Sequence, residues 1–544
     1  MSYKEKIKNL VLEAVQNVLE DCIVERTKTK QHGDVATNIA MVLAKQKKTN
    51  PLDIASEIKS KIKLDSNVLK NIEIAKPGFI NFIVSDYALS ESICECLTEG
   101  SKYGYLKPKT KEKILVEYVS SNPTGDLHLG HGRQAVLGSS IVNLFKVAGH
   151  DVNSEFYIND YGEQISKLSD TTWAIYEKLN GRKVDWGDEF YPEQIIRPYV
   201  EKILAKDSKN ILKESLGKEV KNLILLDQKN LLERIDVKFD IWFSETDLHI
   251  NKNVEQTLGK LKEKNCVYEN EGAIWFKAKD FGDVRDRVLV RADGRPTYLL
   301  SDIAYHVNKF KRGHEKLITI WGADHQGQEI SLKGALKALG YDEQKLEIVF
   351  VQLVSLKKEG KEFKMSKREG NFLTVKEVLD ETGSDAFRYF LVEAHQNNRM
   401  AFDVDLAKKQ DKDNPVYYIQ YAHARCCSIF RQLGKTKNDI MINQEQLLNS
   451  FKVNNEEHEI TKSLILKILD FPEEVLLATE NRAPSRIANY LKELAYEFHQ
   501  FYMTCRVISE NISLMNSRLA IVEATKITIG NGLKILGINA PEAM

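Results

Sequence analysis

No stretch of this sequence approaches about 20 apolar residues without a charge, which excludes a membrane-spanning helix. Net charge is also missing, since Lys+Arg and Asp+Glu both total 78. That excludes a chain that coats nucleic acid by bulk charge. A nucleic-acid partner would have to be held by local basic patches, such as Lys28 with Lys30, or Lys45, Lys47 and Lys48. The seven cysteines (Cys22, Cys94, Cys96, Cys266, Cys426, Cys427 and Cys505) include no C-x2-C pair, and no histidine pair lies near them at finger spacing. This argues against a structural zinc, and the odd number reads as reduced thiols. The opening residues, Met1-Ser2-Tyr3-Lys4-Glu5-Lys6, lack the apolar core of a signal peptide and the acid-poor character of a transit peptide. The expected location is the cytosol.

What is present is an ordinary soluble composition, 42% hydrophobic and 29% charged, enough to bury a large core. At about 150 residues per domain, the length favours three or four units. Ile7, Leu10, Val11, Ala14, Val15, Val18 and Leu19 keep helical spacing. A second apolar helix is expected through Ala36–Leu43. Pro51 starts a third, with Ile54, Ala55, Ile58 and Ile62 on one face. Ile72–Ile74 and Phe79–Val84 read as strands joined by Lys76-Pro77-Gly78. This α+β unit runs into the polar stretch Gly100–Lys113.

The middle of the chain changes character. The strand Ile114–Val119, a helix from about Gly130 to Val147 and the strand Val152–Ile158 make a βαβ unit, the building block of a helix-covered parallel sheet. Further strands are expected at Leu317–Trp321 and Leu346–Leu353. A charged helical region over roughly 165–280 reads as an insertion. From about residue 395 strands are expected to disappear. Four stretches there have helical apolar periodicity: Val416–Leu433, His458–Leu477, Ser485–Ile508 and Arg518–Leu536. Pro472 kinks the second of these or ends it early.

Two segments carry chemistry. Glu117 to Arg133, containing Asn122-Pro123-Thr124-Gly125-Asp126-Leu127-His128-Leu129-Gly130-His131, lies where a parallel strand gives way to a helix N-terminus. An α/β sheet places its ligand crevice there, and the helix dipole favours anions. Two histidines flanking a glycine can donate to phosphate oxygens, and Gly130 lets a flat base approach the backbone. The bland alternative is a turn with surface histidines. The second segment is Lys364-Met365-Ser366-Lys367-Arg368-Glu369-Gly370-Asn371. Lysines on a loop beside a sheet edge suit an extended triphosphate and the charge that builds as pyrophosphate departs. Its bland alternative is a solvated basic loop.

Together and in this order, His128-Leu129-Gly130-His131 and Lys364-Met365-Ser366-Lys367 resemble the HIGH and KMSKS signatures of class I aminoacyl-tRNA synthetases. Within that class the resemblance is to the arginyl-tRNA synthetases, and it covers nearly the whole chain. Gln31 to Asn38 and Pro77 to Asn81 resemble that family's N-terminal domain. Asn414 to Arg425 resembles the start of its anticodon-binding helices, and Ile535 to Met544 its C-terminal end. Asp126, where the family commonly has proline, and Arg368, in place of the last serine of KMSKS, depart from the pattern.

The resemblance implies a multidomain α/β protein. A small α+β tRNA-binding domain would span 1–110. A Rossmann-type parallel-sheet catalytic domain would span 111–395, with the insertion at about 165–280. An all-α anticodon-binding domain would span 396–544. It implies ATP-dependent attachment of L-arginine to tRNA(Arg) through arginyl-adenylate, with Mg²⁺ accompanying ATP, no structural zinc, a need for bound tRNA before activation, no membrane and a monomer. His128, His131, Lys364 and Lys367 would be catalytic. His128, Gly130, His131, Asp324, His325, Met365, Ser366 and Lys367 would bind ATP, and Glu117, Asn122, Tyr298 and Asp302 would bind arginine. A guanidinium is always charged and offers a planar fork of donors, so a site that selects it needs carboxylates. For Asp302 a helix N-cap is the competing reading. Tyr417, Tyr418 and Tyr421 are either core aromatics or a stacking surface for splayed bases. Two other readings stay open. One is another class I synthetase, such as that for glutamine or cysteine; the other is a tRNA-binding protein without catalysis.

Overall fold

The computed structural model describes residues 3–16, 22–27, 32–206, 212–363, 374–436 and 443–544. Its centre is a five-stranded parallel sheet. In spatial order the strands are Leu346–Val351, Lys316–Gly322, Lys113–Glu117, Asp151–Ile158 and Ile241–Ser244. The chain starts at the middle strand, winds out to one edge and then returns to fill the other. The order therefore reverses between Lys113–Glu117 and Lys316–Gly322, and the crevice of a doubly wound sheet opens at such a reversal. Period-2 alternation divides the sheet. Ile114 and Val116 enter one core, while Leu115, Tyr157, Leu317 and Leu346 face a second core under helix Tyr298–Lys311.

Before the sheet, strands Glu25–Arg26, Val35–Thr37, Phe79–Val84 and Leu69–Ala75 form an antiparallel sheet in that order. Helix Pro51–Lys61 begins as expected, with Asn50 capping and the proline in its first turn. The expected helix Ala36–Leu43 is shifted. Val35–Thr37 is a strand, and the helix runs over Ile39–Lys47. Pairing with Phe79–Val84 overrides the apolar run, because only tertiary contact distinguishes a three-residue strand from the start of a helix.

Two further expectations are corrected. The insertion does contain charged helices, Glu163–Leu179, Glu193–Leu204 and Lys213–Arg234, with a core of their own. The parallel sheet resumes inside the 165–280 interval, however, since Ile241–Ser244 pairs with Asp151–Ile158. Strands also persist past residue 395. Met400–Asp403 pairs in parallel with Val354–Lys358, which forms a hairpin with Lys361–Phe363. Four residues are too few to display a period.

The helices that follow are Pro415–Leu433, Asn455–Leu469, Phe471–Glu480, Pro484–Thr504 and Ile512–Leu536. Pro472 ends the earlier helix and sits in the first turn of the next. Arg388, fully buried, ties this layer to helices Leu129–Val147 and Lys213–Arg234. It donates to Leu536 O at 2.7 Å, Ile235 O at 2.6 Å and Ser139 Oγ at 2.9 Å. The N-terminal unit packs on the same layer through Lys4–Asp470 (2.8 Å) and Lys462–Asp34 (2.8 Å).

Candidate active site

The strand Lys113–Glu117 ends in an unusual turn. Val119 and Ser120 both have positive φ, 70° and 44°. That region is costly for a β-branched residue and persists only where the surroundings enforce it. Val119 is buried. The turn brings the Ser120 hydroxyl back to donate to Glu117 Oε1 at 2.8 Å and to accept the Tyr157 N–H at 3.2 Å. The loop beyond is clamped by Gln228, a buried residue of helix Lys213–Arg234. Its amide donates to Asn122 O at 3.1 Å and Gly125 O at 2.8 Å, and its Oε1 accepts from Ser121 Oγ at 3.3 Å. Sequence reasoning missed Gln228. A signal existed, because it interrupts the i+4 apolar row Leu216, Val220, Ile224 and Leu232.

The loop delivers two histidines to the start of helix Leu129–Val147. His128 is the N-cap. Its Nδ1 accepts the His131 N–H at 3.3 Å, and His131 Nδ1 accepts the His128 N–H at 3.4 Å. This is a capping box built from two imidazoles, stacked with centroids 3.6 Å apart. The arrangement sets the chemistry of both rings. A nitrogen that accepts from a backbone N–H carries no proton, so each neutral ring bears its proton on Nε2. Two half-buried Nε2–H donors at the positive end of a helix are chemically suited to an anion. Gly130 lies against this pair, and a Cβ there would come within 3.0 Å of the His128 ring.

Lys364, Met365, Ser366 and Lys367 lie outside the described residues, as does Arg368. Both flanks of that segment are placed. One is the hairpin strand Lys361–Phe363. The other is Thr374, which forms a backbone bridge with His128, while the Val375 N–H donates to Leu127 O at 2.8 Å. Thr374 and Val375, the first described residues after that segment, therefore lie at the histidine cap. Arg133, buried one turn further along the helix, donates to the carbonyls of Gln352 (2.9 Å), His395 (3.1 Å) and Asn398 (2.9 Å). It ties the helix to the turn after strand Leu346–Val351 and to the stretch before strand Met400–Asp403.

The acidic residues meet on the other face of the sheet. Strand register aligns Thr319, Glu117 and Glu155 in one row across three strands. Helix Tyr298–Lys311 covers this row. Lys309, 1% exposed, places Nζ 2.6 Å from Glu117 Oε2. Tyr305 donates to Glu155, and Arg312 meets the same carboxylate at 2.9 Å. Asp302 lies in the second turn, where Thr297 rather than Asp302 is the N-cap, so the capping reading is corrected. Burial raises Asp302 to about 8, with Glu117 and Glu245 adding to the shift and Lys309 opposing it. Glu245, at the start of helix Glu245–Ile250, is buried, and the Tyr157 and Ser301 hydroxyls favour its charged form. Burial still lifts it to about 7. Sequence reasoning missed both Glu245 and Lys309.

The remaining candidates line the rim. Tyr298, the first residue of its helix, is 58% exposed. Asp324 and His325 follow strand Lys316–Gly322 in a 3-10 turn and are exposed, with His325 Nε2 3.7 Å from Asp324 Oδ2. They stand at the sheet's carboxyl end. In the helical layer, Tyr417 and Tyr421 stack at 6.4 Å, and Arg425 lies over Tyr421 and Tyr502.

A histidine-capped helix at the reversal point of a parallel sheet, with the chain that follows the second signature bridged to it at Thr374, defines the catalytic unit of a class I aminoacyl-tRNA synthetase. Residues 92–422 match the family described as tRNA synthetases class I (R), catalytic domain. Residues 1–84 match the arginyl tRNA synthetase N terminal domain, and 419–544 the DALR anticodon binding domain. The chain belongs to the arginyl-tRNA synthetase family. It is 42% identical to an arginine–tRNA ligase of Carboxydothermus hydrogenoformans, over 96% of this chain and 94% of that one. An arginine–tRNA ligase of Heliobacterium modesticaldum is 40% identical, with all of both chains covered. The fold is similar to the solved Thermus thermophilus arginyl-tRNA synthetase, with a TM-score of 0.78 at 23% identity, over 99% of this chain and 100% of that chain.

Proposed function

We propose that the activity of this enzyme, ATP-dependent attachment of L-arginine to tRNA, is carried by the histidine cap, the lysine loop and the acidic pocket. The observation that supports this most is the position of a pocket rich in carboxylates at the end of the strand that leads into the cap. The triphosphate of ATP lies at the N-terminus of helix Leu129–Val147, receiving Nε2–H bonds from His128 and His131. The base packs on Gly130, with Asp324 and His325 at the rim. Arginine enters with its guanidinium toward Asp302, and Glu117, Asn122, Glu245 and Tyr298 complete its surroundings.

The arginine carboxylate oxygen attacks the α-phosphorus, and the bond to the bridging oxygen breaks. Arginyl-adenylate forms and pyrophosphate leaves. Charge accumulates on the phosphoryl oxygens and the leaving group, where His128, His131, Lys364 and Lys367 stabilise it, and Met365 and Ser366 contribute to ATP binding. A hydroxyl of the tRNA 3′-terminal ribose then attacks the adenylate carbonyl, and AMP departs. No enzyme nucleophile takes part, because positioning and charge supply most of the acceleration. Mg²⁺ arrives on the ATP phosphates as part of the substrate. Residues 1–110 and 396–544 hold tRNA(Arg), the latter through its anticodon, and 111–395 perform the chemistry. The protein works as a cytosolic monomer.

Lys367→Ala tests the lysine loop. Loss of a charged transition-state contact of about 3 kcal/mol lowers activation on the order of a hundredfold. Arginine and tRNA affinities are expected to stay near wild type. The measurement is tRNA-dependent exchange of labelled pyrophosphate into ATP; wild-type exchange would remove Lys367 from the mechanism.

A further inference from the structure

The row of carboxylates under helix Tyr298–Lys311 poses a charge problem that the fold itself answers only in part. Glu117 and Glu155 stand side by side on adjacent strands, and both are buried. Like charges in that position repel. Glu155 is neutralised by Arg312, with Tyr305 as a second donor. Glu117 is neutralised by Lys309, whose ammonium also lies 4.1 Å from the Tyr305 ring centroid and 3.4 Å from Thr319 Oγ1. His306, between them on the helix, bonds Asp302 O and Thr319, and burial keeps it neutral. Asp302 and Glu245 are left. Among the described residues, no lysine or arginine lies within ion-pair distance of either, although Lys309 still acts on Asp302 through space.

We propose that Lys309 is a positioning residue that sets the charge of the arginine pocket. By offsetting the charge of Glu117 from within the fold, it leaves the pocket a net charge of two carboxylates to set against the two cationic groups of arginine, so binding displaces protons from the empty pocket. This rests on the arginine-pocket reading above. The arithmetic is simple. Glu117, Asp302 and Glu245 carry three negative charges and Lys309 one positive. The guanidinium and the α-ammonium of arginine supply the other two, while its carboxylate is turned away from the pocket toward the ATP α-phosphorus. Without substrate, the surplus carboxylates hold protons, consistent with Asp302 near about 8 and Glu245 near about 7. The other groups facing the pocket do not supply the missing charge. Tyr157 and Tyr305 are pushed upward by burial and stay neutral. Asp160 is paired with Lys221, and His249, 3.8 Å from Glu245, is held down by burial.

The test is calorimetry of arginine binding to the full-length protein between pH 6 and 8.5, in buffers of different ionisation enthalpy, beside the arginine KM for tRNA charging. Wild type is expected to release roughly one proton per arginine at about pH 7, with KM falling as pH rises through the pocket's titration. Lys309→Met removes the buried cation that holds Asp302 down. It is expected to release more protons and to move the KM profile upward by about one pH unit. Lys309→Arg keeps the charge and should keep the profile. The paired Glu117→Gln/Lys309→Met removes both buried charges, so no ion is orphaned. It should retain the wild-type profile even with a weaker KM, which gives a comparison if Lys309→Met fails to fold. Zero proton release by wild type would overturn the proposal. So would a Lys309→Met profile parallel to wild type, or a displaced profile in the paired variant. Those outcomes leave the arginine-pocket reading intact, whereas absence of any arginine binding or charging would overturn that reading itself.

Discussion

His128→Asn is expected to lose about a hundredfold in adenylate formation while melting at the wild-type temperature. The two effects separate because the histidine does two jobs with two nitrogens. Nδ1 caps the helix by accepting the His131 N–H. Asparagine is among the best N-caps, and its side-chain oxygen can take over that bond. It has nothing at the position of Nε2. The donor aimed at developing charge is then lost, and such a donor contributes about 3 kcal/mol. Thermal unfolding and single-turnover adenylate formation, measured on one preparation, read the two jobs independently. Equal losses of stability and rate would reduce His128 to a cap.

Asp302→Asn is expected to raise the arginine KM on the order of a hundredfold, about 3 kcal/mol, with ATP binding nearly unchanged. The amide preserves shape and removes the charge a guanidinium requires. Because Thr297 and not Asp302 occupies the N-cap position, no capping loss confuses the result. The pH dependence carries the same information. Asp302 in the empty pocket is raised to about 8, so acidification below that value protonates it and weakens arginine binding. Wild-type KM therefore falls as pH rises from about 7 toward about 8.5, and the variant, with no group to ionise, loses that part of the slope. A variant with the wild-type KM and the wild-type slope would place the guanidinium elsewhere.

Much of this site is legible in sequence because its signals are local. The strand–loop–helix around His128 and His131 announces itself by an apolar run, a Pro and Gly turn and a helical period, and Leu129–Val147 starts one residue from the expected position. The reciprocal cap, and with it the tautomer of both rings, needs coordinates. The acidic pocket is legible only in part. Glu117 and Asp302 stand beside recognisable motifs. Lys309 and Glu245 have no local mark, since their meaning comes from strand register and from a helix crossing above it. Lys309 is simply one more lysine in a chain with 78 basic residues until it is found buried against Glu117. The edge strand Ile241–Ser244 was hidden for a related reason. Four residues between helices show no period, and Glu245 follows it directly.

The central claim is that this chain selects arginine by charge and joins it to tRNA. The most direct measurement is charging of tRNA by the purified full-length protein, with each of the twenty amino acids offered in turn. Arginine is expected to be esterified, and lysine, glutamine and cysteine to fall at least about a hundredfold behind, because none of them presents a planar, permanently charged fork to the Asp302 pocket. Efficient charging with glutamine or cysteine, or tRNA binding without esterification of any amino acid, would contradict the account.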